Sequence, residues 1–195
     1  FSATNLDEYT RKYTQDHFGK EQAAEAAEIL NMYCKYNARI TAEMLDERTY
    51  NLRSGEFLQV RDAYLALEAR ALRQFMMLED KYKDTYKQII LHPVRAMANL
   101  YDMYYAVAMN HKLAIEKDMR ANYWADYADS CFNRDAAYTN DYNLNVSERK
   151  WNHLMDQTHI GYKSWDEPKG GNIKPIVYRL KPEEIKIGGY VFRSE

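Results

Sequence analysis

The stretch from about Lys83 to Lys117 constrains the fold most strongly, because its apolar side chains recur at steps of three and four. That spacing places them on one side of an α-helix, which must then pack against a core. The stripe consists of Tyr86, Ile90, Val94, Met97, Tyr101, Tyr104, Ala108, His111 and Ile115. Other apolar residues widen it on its flanks, at Ile89, Leu100, Met103 and Val107. We therefore predict that this helix is the central and most buried one.

Four further segments show helical periodicity. They run from about Thr4 to Gly19, Lys20 to Arg39, Gly55 to Lys81 and Met119 to Tyr142. The 195 residues contain only 7 Gly and 4 Pro, which favours helices over a turn-rich β fold. Five long helices with short connections are typical of a bundle. The predicted fold class is therefore all-α: an antiparallel bundle of about five helices with a C-terminal extended tail.

Proline and a change in residue pattern divide the chain further. Pro93 is the only Pro before residue 168, and its missing N–H predicts a kink or break of the central helix near Leu91. Residues 1–147 are expected to form the bundle, residues 148–171 a loop that closes it, and residues 172–195 an extended tail or the start of a following β domain. The β interpretation rests on two short runs, Ile176-Val177-Tyr178 and Tyr190-Val191-Phe192.

Charge and hydropathy narrow the classes of partner. The formal net charge of -2 gives no electrostatic footprint for nucleic acid, and no apolar run approaches the length of a membrane span.

The chain begins at Phe1 with no initiator Met and no signal peptide, so we expect a fragment or a processed product. Cys34 and Cys131 lack metal-ligand spacing. Two buried free thiols are the favoured interpretation, and a disulfide is the alternative.

The helical period stops between Arg149 and Pro168, where aromatic, imidazole, amide and acidic side chains are concentrated. Such side chains bind flat polar ligands or anchor tight interfaces, and loops held by a rigid scaffold often carry function. Gly161 permits a sharp backbone path. The candidate residues for a substrate cleft or a domain interface are Trp151, Asn152, His153, Asp156, Gln157, His159, Tyr162 and Trp165.

A metal site is one hypothesis for this segment. His153, Asp156 and His159 are spaced three apart, so a helix would turn all three to roughly the same side. Thr158 and Gly161 disfavour a continuous helix there, and we predict no metal.

Catalysis within the segment is a second hypothesis. A glycosidic acid–base pair needs carboxylates on opposed elements, whereas Asp156, Asp166 and Glu167 share one local segment. The chain also lacks a nucleophile elbow and a phosphate-cradling glycine loop. We therefore predict no catalytic residue in this chain. The aromatic rings could stack on sugars, pack on a partner domain or simply plug the end of the bundle; these rings are Trp151, Tyr162 and Trp165.

A longer pattern extends across the loop and into the helices. The loop reads Lys150-Trp151-Asn152-His153-Leu154-Met155-Asp156-Gln157, followed by His159-Ile160-Gly161-Tyr162 and Trp165. Other parts of the pattern are Glu28-Ile29-Leu30-Asn31 with Tyr33, Lys35, Tyr36 and Asn37, His92-Pro93-Val94 with Ala98-Asn99-Leu100, Tyr104 and Asn110, and finally Asn172, Pro175 and Val177. Together they resemble glycoside hydrolase family 115, the xylan α-1,2-glucuronidases, over about residues 5 to 178. The chain departs from the family pattern at Thr158, where members often have Pro.

The resemblance implies a role within a large multidomain enzyme. Family members carry their catalytic carboxylates on a (β/α)8 barrel and remove glucuronic acid or its 4-O-methyl form from xylan. This chain would be the non-catalytic helical domain after that barrel, followed by a β domain of the same protein. The resemblance implies no cofactor, a secreted or periplasmic enzyme and a possible homodimer. A free-standing all-α module that binds a protein is the alternative.

Overall fold

The computed structural model describes residues 5–161 and 171–186. Within these ranges the chain forms six α-helices, which are α1 (Leu6–Phe18), α2 (Ala23–Asn37), α3 (Glu56–Met77), α4 (Asp80–Tyr86), α5 (His92–Ile115) and α6 (Arg120–Asn145). A π-helical segment, Lys87–Leu91, joins α4 to α5, so the six helices make five rods. The predicted all-α bundle of about five helices is confirmed.

Helix α5 lies at the centre of the bundle, as its double apolar stripe predicts. It packs against α3 on one side and α6 on the other, while α1 packs on α2 and α2 packs on α3. Fifteen of its residues are buried, among them Val94, Leu100, Met103, Val107 and Leu113. None of the helices in the described ranges is long and apolar enough to cross a membrane.

The ends of α1 follow the capping signals of the sequence. The side chain of Asn5 accepts a hydrogen bond from the Glu8 N–H at 3.2 Å, and Asp7 lies in the same first turn, where its negative charge stabilises the helix dipole. Gly19 ends the helix with a φ of 82°, a conformation that glycine adopts without steric cost.

Pro93 interrupts the α-helical pattern where the sequence predicts a kink or break. In a regular α-helix its ring would clash with the carbonyl four residues earlier. The chain avoids this by widening into the π-helical segment that ends at Leu91, and the His92 N–H bonds to the Lys87 carbonyl five residues back. The rod therefore continues through the proline with a changed register.

Tyrosines fill much of the core, and some of the buried hydroxyls find partners, although that of Tyr64 has none among the described residues. Tyr64 and Tyr101 stack with their ring centroids 4.2 Å apart, and burial raises the pKa of Tyr64 to about 12. The Tyr86 hydroxyl donates to Gln74 Oε1 at 2.9 Å. Large aromatic rings thus supply apolar area, while their polar tips join facing helices.

A buried carboxylate on α5 connects three helices. Asp102 is only 1% exposed, yet it accepts a hydrogen bond from Arg61 Nε of α3 at 2.6 Å and from the Tyr127 hydroxyl of α6 at 2.8 Å. Arg134 of α6 approaches the same carboxylate at 3.5 Å. Since a buried charge is stable only when it is paired and hydrogen-bonded, this cluster fixes how α3, α5 and α6 are aligned.

The C-terminal tail is held by side chains of the bundle. Asn110 of α5 bonds to both the N–H and the carbonyl of Tyr178, each at 2.8 Å. Asn122 of α6 bonds in the same way to Leu180, at 2.7 and 2.9 Å. These amides take the place of a neighbouring strand, and residues 171–186 contain no strand. The second predicted β-like run, at residues 190–192, lies outside the described residues.

Both cysteines are free thiols, but only Cys131 is buried. The prediction that Cys34 is also buried is wrong. The buried face of α2 is centred on Ala26 and Ile29, each 0% exposed, so Cys34 lies beyond the margin of that face.

Candidate functional site in the loop after α6

The loop begins with a tight reversal after α6. Ser147, Glu148 and Arg149 all have positive φ, at 49°, 52° and 69°. This conformation costs free energy in residues other than glycine, so contacts nearby must hold it. One of them is the hydrogen bond from the Ser147 N–H to Asp84 Oδ2, at 3.0 Å. The reversal directs residues 150–161 back across the end of the bundle.

A first polar anchor fixes the middle of the loop to the end of α6. Asn143 is 5% exposed and donates through Nδ2 to Asp156 Oδ1 at 2.6 Å. Its Oδ1 accepts from the Met155 N–H at 3.0 Å. The other Asp156 oxygen lies 2.6 Å from His153 Nδ1. Asn143 therefore fixes the position of the loop relative to the end of α6, and Asp156 orients the exposed imidazole of His153.

A second polar anchor joins the end of the loop to both α6 and the tail. His159 Nε2 lies 2.8 and 2.9 Å from the two carboxylate oxygens of Asp135, which is 3% exposed. Asn172 Oδ1 accepts from the N–H groups of His159 and Ile160, at 2.8 and 3.0 Å. Ile160 is 0% exposed and fills the core beneath.

Two histidines near this anchor have pKa values shifted in opposite directions. The hydrogen bond to Asp135 raises the pKa of His159 above 6.5, against the opposing effect of burial. Burial lowers the pKa of His92, at the start of α5, to about 4, and the positive charge of His159 acts in the same direction. The site therefore places a histidine whose protonated form is favoured by Asp135 near a half-buried imidazole, that of His92, which is neutral at pH 7.

The loop forms the wall of two grooves. One has a volume of about 460 Å3 and lies between the loop residues Leu154 and Gln157 and the first turns of α5, at Pro93 and Met97. His159 separates it from a second groove of about 720 Å3. The second groove is bounded by Glu47 in the turn after α2, by Tyr104 of α5, by Gly161 at the end of the loop and by the tail residues Ile173 and Tyr178.

The predicted site residues fall into three groups. His153, Asp156 and Gln157 are exposed, and Trp151, Asn152 and His159 are half-buried. Lys150 Nζ lies over the Trp151 ring, 4.8 Å from its centroid. The remaining two candidates, together with the acidic pair that follows them, lie outside the described residues: Tyr162, Trp165, Asp166 and Glu167.

The three side chains of the metal hypothesis do not converge. His153 and Asp156 pair with each other, whereas His159 turns away to Asp135. In the parts of the chain that the structure describes, no three His, Cys, Asp or Glu side chains are grouped so that they could hold a metal ion.

Sequence reasoning missed the residues that position the loop. Asp135, Asn143 and Asn172 lie before or after the loop in the sequence. No pattern of neighbouring residues indicates that they contact His159 or Asp156. One signal was present in α6, where the apolar stripe runs from Ala128 through Cys131 to Tyr138. Asp135 occupies a stripe position between them, so a carboxylate faces the core side of the helix. A charge on such a face predicts a buried partner.

Comparison of the chain with models of protein families and with curated proteins finds no match. The chemistry of the loop must therefore be inferred from its own residues and their geometry.

Proposed function

We propose that this chain is the non-catalytic helical domain of a xylan α-1,2-glucuronidase-like glycoside hydrolase, and that its loop faces the substrate cleft or a neighbouring domain. The observation that carries the proposal is that the loop is firmly held while several of its side chains stay exposed. These exposed side chains, here called the rim, are His153, Leu154, Asp156 and Gln157. The side chains of His153 and Asp156 are 78% and 51% exposed, and Leu154 is 52% exposed. Polar anchors at the middle and at the end of the loop keep these exposed side chains in place, a feature that binding loops need.

The carboxylates near the loop support a positioning role. Asp156 is held by Asn143 and His153, and Asp135 is held by His159 and Asn172. Acidic groups committed in this way hold structure together and are poor candidates for a paired acid and base acting on one glycosidic bond. The reactive carboxylates would come from a preceding catalytic barrel of the same protein, acting on glucuronoxylan.

The rim has the chemistry for either role assigned to it. An imidazole, a carboxylate and the Gln157 amide can bond to sugar hydroxyls, while Leu154 can pack on an apolar neighbour. Trp151 is half-buried, so part of its ring remains accessible to a sugar or to a neighbouring domain. A β domain after the tail and a homodimer contact are further parts of the proposal.

A free-standing protein-interaction module is the second candidate. It is favoured by three exposed apolar side chains at the opposite end of the bundle, in and beside the turn between α5 and α6. There Ile115 is 84%, Met119 66% and Tyr123 60% exposed. Contiguous exposed apolar side chains are typical of a surface that binds another protein.

The reading frame that encodes the chain distinguishes the two candidates. Our proposal expects coding sequence for a (β/α)8 barrel directly upstream of Phe1 in the same frame. A start codon immediately before Phe1 would favour the interaction module. The purified chain should also release no glucuronic acid from glucuronoxylan above a buffer blank. Clear release by the chain alone would contradict the non-catalytic assignment.

A further inference from the structure

Both ring nitrogens of His159 face groups that can only accept hydrogen bonds. Nε2 lies 2.8 and 2.9 Å from the Asp135 carboxylate oxygens, and Nδ1 lies 2.9 Å from the Gln157 carbonyl oxygen. A neutral imidazole has one N–H, so it would leave one nitrogen lone pair facing an acceptor. The imidazolium donates from both nitrogens. The geometry therefore selects the protonated ring.

The same ion pair is the junction at which three parts of the chain meet. Asp135 belongs to α6, and Asn172 Nδ2 of the tail lies 3.3 Å from it. The Ile173 N–H donates to the Ile160 carbonyl at 2.9 Å, which pairs the tail with the loop. If the ion pair is lost, the polar link left between the loop end and α6 is the long bond from Asn172 to Asp135, because Asn172 also accepts from the His159 and Ile160 N–H groups.

Several charged or titratable side chains surround His159, but only one of them contacts its ring. Asp135 supplies the negative charge in direct contact, and Glu43 and His92 line the first groove with it. His92 has a pKa of about 4 and stays neutral above pH 6.5. Asp46, Glu47, His111 and Lys174 line the second groove, which the ring also borders. Among the described residues, Asp135 alone contacts the ring with a charge.

We infer that protonated His159 is a pH-sensitive latch, which fastens residues 157–161 and the start of the tail to α6 and releases them as the pH rises. Release would widen both grooves, since the loop is their shared wall. The direction follows from proton linkage. The pKa of the latched ring is raised above 6.5, so the closed form is fully stabilised below pH 6.5 and loses that stabilisation as the pH rises through the raised value. The latch belongs to this chain and operates with or without a catalytic barrel.

Hydrogen exchange of the whole chain, followed by NMR between pH 6 and pH 9, tests the latch. The probes are the Ile160 and Ile173 amides, after correction for the intrinsic pH dependence of exchange. With one linked proton, their protection factors should fall by about tenfold per pH unit between pH 6.5 and the raised pKa, and stay level outside that window. Amides of α5 such as Tyr101 should keep their protection, which separates local release from global unfolding.

Two variants in the same loop form a matched pair. His159→Gln keeps a donor toward Asp135 but does not titrate, so its protection factors should be independent of pH. His153→Gln removes the other, exposed imidazole of the loop and should keep the wild-type step. Constant protection in the wild type from pH 6 to pH 9 would overturn the inference, even if a variant failed to fold. So would an unchanged step in His159→Gln.

Discussion

Replacing Asp102 by Asn should be among the most destabilising single changes in this protein. The substitution keeps the volume and removes only the charge that Arg61 and Tyr127 approach at 2.6 and 2.8 Å. Arg61 is 17% exposed, so its guanidinium would remain largely buried with only Asp62, 57% exposed and 3.2 Å away, as a counter-charge. Breaking a buried pair in this way costs about 3–5 kcal/mol. The amide oxygen of Asn can still accept one hydrogen bond, so we expect a loss of about 3 kcal/mol.

Urea unfolding measures this loss. With a slope of about 2 kcal/mol per molar, the midpoint should fall by about 1.5 M while the slope stays the same. The matched control is Asp46→Asn, which removes the partner of Arg48 at the surface, where the two side chains are 43% and 80% exposed. That change should cost less than about 1 kcal/mol. If Asp102→Asn costs no more than the control, the buried cluster does not align α3, α5 and α6 as argued.

Three further predictions concern the start of α5, the loop and the tail. Burial lowers the pKa of His92 from 6.5 to about 4. The free energy of unfolding should therefore fall by up to about 3 kcal/mol as the pH falls across that interval. His92→Gln should lose less stability between pH 7 and pH 4, as measured by urea unfolding at both pH values. Gly161→Ala should cost about 2 kcal/mol or more in thermal unfolding, because φ is 75° there and the added Cβ would lie 2.7 Å from Ile173 Cβ; Gly55→Ala, with open space at a similar φ, is its control. Asn110→Ala removes both bonds to Tyr178 and should make the tail the first site cut in limited proteolysis, whereas a wild-type cutting pattern would show that the amide does not hold it.

The helices could be predicted from the sequence because their signals are local. The stripe from Tyr86 to Ile115 predicted a central helix, the periodic segment from Thr4 to Gly19 predicted α1, and Pro93 predicted an interruption near Leu91. In each case the deciding contacts lie within a few residues along the chain.

The anchors could not be predicted because they join residues that are far apart in sequence. His159 stood out as a candidate, but its partner Asp135 lies 24 positions earlier and the supporting Asn172 lies 13 positions later. Asp102 illustrates the same limit, since Arg61 is 41 positions away. Periodicity places such a residue on a face of a helix, and only the packing of helices shows what that face meets.

We propose that the exposed loop supports a reaction whose catalytic groups belong to another part of a larger enzyme. The most direct test of this proposal is the rate of uronic acid release from glucuronoxylan by the complete enzyme we propose, with His153→Ala and Gln157→Ala combined. Glu116→Ala, exposed at the far end of α5, serves as the control. We predict a fall in kcat/KM of about tenfold or more for the loop variant, about 1.4 kcal/mol of transition-state stabilisation, with an unchanged melting temperature. Equal rates for the loop variant, the control and the wild type would contradict the account.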